Sequence, residues 1–74
     1  MLVYIFIVSS HEGQEEPMIF KSLDEAKNAL KDRYEEDLND YEEEVMNNDL
    51  YDTSAYIELM DNIIYYEIYD VEIK

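Results

Sequence analysis

The chain has 74 residues, 20 Asp and Glu against five Lys and Arg, and a formal charge of −15. Such a charge repels nucleic acid and anionic membranes and attracts cations and basic protein surfaces. The absence of cysteine excludes disulfide staples, thiol chemistry and cysteine metal sites, while 47% apolar content with eight Tyr and two Phe argues against disorder.

A chain of this length makes one small domain with a modest core, marginal unless self-association adds to it. Leu2 to Val8 reads LVYIFIV, rich in β-branched and aromatic types and apolar on both faces. That is the pattern of a central strand covered on both sides. It is too short to span a bilayer and has no basic region before it, so a buried strand is expected instead of a signal peptide. With the missing cysteines, this favours a cytoplasmic protein. A polar loop, SSHEGQEEP, holds the only Gly and the only Pro. Met18 to Phe20 then makes a short return strand, and Pro17 at its start suits a sheet edge. Residues 2–20 form a hairpin with a long tip.

Ser22 followed by Glu25 predicts a capping box. Apolar residues recur at Leu23, Ala26, Leu30, Tyr34, Leu38, Tyr41 and Val45 in steps of three and four. This is one stripe of a long amphipathic helix over 23–46, with Asp24 and Glu25 at its positive end and Asn47-Asn48 as the stop. Residues 49–62 are ambiguous. Tyr51, Ala55 and Leu59 fit a short helix near 53–60, which is favoured; Thr53, Ala55, Ile57 and Leu59 also alternate, as a strand turning at Asp61-Asn62 would. Residues 63–73 read as a final strand, with a β-bulge near Tyr69-Asp70 bringing Ile64, Tyr66 and Ile68 into phase with Val71 and Ile73. The predicted fold is α+β: a three-stranded antiparallel sheet of order 2-1-3, one long helix on a face, and a possible second short helix. A right-handed crossover from strand two would place strand three beside strand one.

The segments VYIFIVSS, EEPMIFKSLDEAKNALKD and YYEIYDVEIK together resemble small uncharacterised proteins of phages and mobile elements. In those a hairpin is followed by a phrase of the form F-x-S-x-x-E-A that opens a helix, and then by a last strand. Here the phrase is Phe20, Ser22, Glu25 and Ala26. The resemblance implies a fold and a genomic setting and carries no functional residues. It leaves out Glu35 to Asn62, where much of the charge lies.

No catalytic, cofactor or metal site is expected. His11 is the only histidine and falls in an acidic hairpin tip, a solvated position without the orienting groups a Ser-His-acid arrangement needs. The run DLNDYEEEVMNND has oxygens but neither the Gly nor the Asp spacing of a calcium loop. No Gly-rich phosphate loop is present.

The conspicuous feature is RYEEDLNDYEEEVMNND, in which eight of seventeen residues are carboxylates. From Tyr34 to Ile73 there are fourteen acids and no base. On the predicted helix Tyr34, Leu38, Tyr41 and Val45 face the sheet, and Glu35, Glu36, Asp40, Glu42, Glu43 and Glu44 lie on the exposed arc. Like charges three or four apart cost an isolated helix a few tenths of a kcal/mol per pair, roughly. One reading is a solvated face that serves solubility. The other is a decoy: carboxylates about 5–6 Å apart along a helix approach the spacing of phosphates on a DNA strand. That reading makes the chain compositionally similar to the acidic nucleic-acid mimics that act as anti-CRISPR, anti-restriction and repair-enzyme inhibitors. The expected partner is a basic nucleic-acid-binding protein of a host, met by Glu35, Glu36, Asp40, Glu42, Glu43, Glu44, Asp49, Tyr51 and Tyr56, with no direct contact to nucleic acid or membrane. Tyr51, Tyr56, Tyr65, Tyr66 and Tyr69 cannot all enter one small core and supply candidate anchors. Met46 and Met60 are expected as core filler. The competing expectation is a small structural or regulatory homodimer whose acidity serves solubility, joined through the sheet or its Tyr-rich edge, because one helix covers only one face of strand one.

Overall fold

The computed structural model describes residues Met1–Lys74. Strand β1 (Leu2–Ser10) is followed by two short antiparallel partners, β2 (Gly13–Gln14) and β3 (Met18–Phe20). The chain turns at His11-Glu12 and enters β2 at Gly13 with φ 122°, a conformation L side chains rarely adopt and glycine adopts freely. Helix α1 (Leu23–Asp40) comes next, then β4 (Val45–Leu50), β5 (Ser54–Leu59) and β6 (Ile63–Glu72).

The strands form one six-stranded antiparallel sheet of order β2-β1-β6-β5-β4, with β3 also on the outer side of β1. The expected triple is present as β3-β1-β6 with the order and directions anticipated. The sheet continues past it because residues 45–59 are a β-hairpin. The short helix expected near 53–60 does not form. Alternation won over the three-residue helical stripe: Ala55, Ile57 and Leu59 are buried while Ser54, Tyr56 and Glu58 are half-exposed, and the chain does turn at Asp61-Asn62, where the Leu59 amide donates to the Asn62 carbonyl.

Helix α1 begins where expected. The Ser22 hydroxyl accepts the Glu25 amide at 3.5 Å, and Ala26, Leu30 and Tyr34 are buried along the stripe. It ends earlier than expected, after 18 residues and about 27 Å. Tyr41 leaves the helical conformation (φ −109°, ψ 21°) while its amide still donates to the Asp37 carbonyl. The last turn has no basic residue, and a helix C-terminus disfavours further carboxylates. Carrying Glu42, Glu43 and Glu44 onto the helix would have extended that repulsion. Val45, the last member of the supposed stripe, instead pairs with Leu59 in the sheet. Tyr41 is exposed, as are Met46 and Met60, which do not fill the core.

The bulge lies in β4, between Val45 and Asn47. Strand β6 pairs with β1 from Leu2↔Glu72 to Ser9↔Tyr65 with no register shift, so the bulge expected near Tyr69-Asp70 is absent. The change of apolar phase along β6 has a simpler origin. Ile64, Tyr66 and Ile68 lie against the helix-side core, whereas Val71 and Ile73 are outside it.

Directly paired residues share a sheet face, which sorts the side chains. The helix side holds Phe6, Val8, Ala55, Ile57, Leu59, Ile64 and Tyr66, packed with Leu30 and Tyr34 of α1. Each fully buried Leu- or Ile-sized side chain there contributes about 1.5–3 kcal/mol. The rings of Tyr34 and Tyr66 meet edge to face at 6.1 Å. The other face has no covering layer, and the molecule is only 16 Å thick in its thinnest dimension. Only 12 of 74 residues are buried.

Candidate partner-binding surface

Six of the predicted acids are exposed along the C-terminal half of α1 or just after it, but they do not lie on one helix. Glu35, Glu36 and Asp40 are on α1; Glu42, Glu43 and Glu44 sit in the following turn, all exposed. The helical pairs Asp40–Glu43 and Asp40–Glu44 expected from the sequence therefore do not exist as helix contacts. A carboxylate missed in the sequence takes their place. Asp32, exposed and four residues before Glu36, completes a ladder Asp32–Glu36–Asp40 at i,i+4 spacing. The ladder spans about 12 Å, or three to four phosphate steps of a DNA strand. The i,i+4 spacing is legible in the sequence, but Arg33 separates Asp32 from the acid-rich run that follows it.

None of these carboxylates has a cationic partner within the molecule. The ion pairs are Lys27–Asp52 at 2.9 Å, Arg33 with Glu15 and Asp37, and the N-terminal ammonium with Glu72. Like charges are thus held near one another, at the negative end of the helix dipole, without neutralisation.

Asp37 is different, although it belongs to the same run. It is 5% exposed. One of its oxygens accepts from Arg33 Nε at 3.0 Å and from the Tyr66 hydroxyl at 2.5 Å. Arg33 also makes a bidentate pair with Glu15, at 2.8 and 2.7 Å. That pair clips the loop before β3 to the helix. The hydrogen bonds from Arg33 hold the Glu15 carboxyl below its ordinary range, and the same pair raises the guanidinium still further. Burial, then the bond to Asp37, lifts the Tyr66 phenol well above its usual value. The sequence signal was available: Asp37 falls three residues after Tyr34, on the buried stripe, and four after Arg33. Asp37 and Arg33 are structural, and they leave the exposed acids as the only candidates in this segment.

The three remaining predicted residues are brought together elsewhere. Asp49 of β4 lies directly opposite Tyr56 of β5, and Tyr51 follows two residues on. The Asp49 charge, and a hydrogen bond to it, raise the Tyr51 phenol. Tyr56 pairs with Tyr65, and Tyr65 with Ser9, which puts Asp49 and Tyr56 on the uncovered face of the sheet, opposite the helix. The predicted residues therefore divide between two sides of the molecule. On the helix side Asn48 accepts the Tyr34 hydroxyl at 2.5 Å; burial first, and then the charge of Asp49, raise the Tyr34 phenol.

Among the remaining polar groups, His11 is exposed, and its backbone amide donates to Asn62 Oδ1. The Ser10 hydroxyl accepts from the Glu12 amide instead of meeting the imidazole. No three His, Asp or Glu side chains are arranged to hold a metal ion. No helix is long and apolar enough to cross a membrane. No known protein family, curated protein or solved structure matches the chain.

Proposed function

We propose that this chain is a non-catalytic acidic inhibitor, of the kind phages encode, that occupies the nucleic-acid-binding surface of a host defence or DNA-processing protein. The observation that carries the reading is the unneutralised carboxylate ladder Asp32–Glu36–Asp40, with Glu35 beside it and Glu42–Glu44 in the turn beyond. A face kept only for solubility gains nothing from concentrating one sign at a helix end of the same sign; interspersed lysines would solubilise it without the repulsion. A basic groove shaped for phosphates supplies the missing countercharge.

The test is capture from the DNA-binding fraction of a bacterial lysate, with and without competing DNA. A protein retained by the wild-type chain should be released by DNA, and its binding should weaken steeply as salt rises. A quadruple variant, Asp32→Asn, Glu35→Gln, Glu36→Gln and Asp40→Asn, should lose that protein while keeping its fold. Neutralising Glu12 and Glu16 in the hairpin tip should have little effect. Retention of the same protein by the quadruple variant at undiminished affinity would remove the decoy reading.

A further inference from the structure

The uncovered sheet face carries an apolar and aromatic patch over β3, β1 and β6. Ile19 pairs with the half-buried Ile5 and Ile5 with Tyr69, while Val71 and Tyr65 extend the patch along β6, paired with Val3, itself only 5% exposed, and Ser9. Ile19 is 67% exposed and Tyr69 49%. Contiguous exposed apolar patches mark interaction surfaces on soluble proteins. Residues 45–59 do not cover it, because they lie in the plane of the sheet as β4 and β5.

We propose that a second copy of this chain covers the face, the two sheets stacking about 10 Å apart with a helix on each outer side. Three features select that occupant, and none depends on what the acidic helix end binds. The first is charge placement. Ten of the 20 acids lie between Asp24 and Glu44, on α1 and the turn after it. Paired positions put only Asp49, Glu58 and Glu67 on the open face. A copy of charge −15 can thus approach along this direction with most carboxylates turned away. A basic partner would be drawn to the helix side instead. The second is the state of Glu67, the carboxylate nearest the patch, flanked by Ile7 and Ser54. It already accepts the Tyr69 hydroxyl, so part of its hydrogen-bonding capacity stays satisfied when a layer closes over it. The third is area. Five strand positions at about 4.8 Å, by roughly eight residues at about 3.3 Å, give a projected face near 600 Å². Side-chain relief brings this toward the approximately 800 Å² per partner of a stable interface. A two-fold axis through the patch sets each copy's Tyr65 and Tyr69 against the other's isoleucines, an isologous contact.

Sedimentation velocity at micromolar and higher protein, over a series of salt concentrations, tests the proposal. A dimer is expected, and it should tighten as salt rises, since salt screens the repulsion between like-charged copies; binding of a basic partner has the opposite salt dependence. Ile19→Glu and Tyr69→Glu should each raise the dissociation constant by at least about 100-fold by burying a charge at the contact. Met60→Glu adds the same charge in the β5–β6 turn and should change it by no more than about twofold. Ile19 is in a three-residue edge strand and mostly exposed, so its variant retains the fold, which circular dichroism checks. A chain that stays monomeric at hundreds of micromolar in high salt overturns the proposal. So does a dimer that neither face variant weakens, which would place the contact elsewhere, such as the β4 edge.

Discussion

The two faces of the sheet are built from the same strands by the same alternation, yet they have opposite fates. On one face Phe6, Val8, Ile57, Ile64 and Tyr66 meet the helix and disappear from solvent. On the other, Ile19, Tyr65, Tyr69 and Val71 are just as apolar and remain exposed. Residue type therefore says which side chains are fit for burial and does not say whether the chain provides the cover. Charge follows the same division: the covered side carries the acidic helix outside it, and the bare side is sparsely charged.

Neighbouring tyrosines on β6 sharpen the contrast most. Tyr66→Ala should cost about 3–5 kcal/mol in a dilute monomer, because it empties a fully buried site and removes one of the two donors to Asp37. Tyr65→Ala, on the open face, should stay within about 0.5 kcal/mol under the same conditions. Urea unfolding of the two variants checks this, and equal costs would mean that the open face is covered within one chain.

Two acids of one run give the next largest difference. Asp37→Ala strands both the Tyr66 hydroxyl and one donor of Arg33, and should cost about 2–3 kcal/mol. Glu36→Ala, on the exposed ladder, should be neutral or stabilising by a few tenths of a kcal/mol. Thermal melts separate the two; a stabilising Asp37 variant would show that the buried network is a cost and not a support.

The loop clip has a smaller, pH-dependent signature. The folded-state pKa of Glu15 is depressed below 4.5 by Arg33. Its contribution is therefore present above the unfolded pKa and lost as pH falls through the folded one. Because Glu15 is about half exposed, a surface-pair magnitude applies, of order 0.5–1 kcal/mol. Acidification also relieves the general repulsion of a −15 chain, so the clip is read as a difference. The stability gap between the wild-type protein and Glu15→Gln should be full at neutral pH and close progressively below pH 4.5. A gap that does not change with pH would contradict the ionic clip. On the alkaline side the raised Tyr66 phenol keeps its contribution below the ordinary phenol pKa, and stability should decline as pH rises from there toward its folded value.

Much of this fold was legible from residue order. Pro17, Ser22 and the Ala26–Leu30–Tyr34 stripe fixed the hairpin, the cap and the helix start through local chemistry that tertiary context did not override. The helix end was misread because Tyr41 and Val45 continue a three-four spacing by coincidence, while the deciding factors were the dipole and Val45's place beside Leu59. Residues 49–62 carry both periods over so few residues that only pairing with β6 selects the strand. In the candidate surface the sign and density of charge were plain from the sequence. Which carboxylate turns inward was marked only by position, three residues after Tyr34 on the stripe and four after Arg33; its donor Tyr66, twenty-nine residues on, is a tertiary contact that spacing does not reveal.

The claim at the centre of this account is that the acidic end of the helix, and not the bare sheet face, meets a basic partner. Backbone amide NMR of the labelled chain, titrated with the protein it captures from the DNA-binding fraction, measures this directly. Perturbations should concentrate between Asp32 and Glu44, reverse on addition of DNA, and fade as salt rises. Perturbations centred on Ile5, Ile19, Tyr65 and Tyr69 that survive added DNA would contradict it.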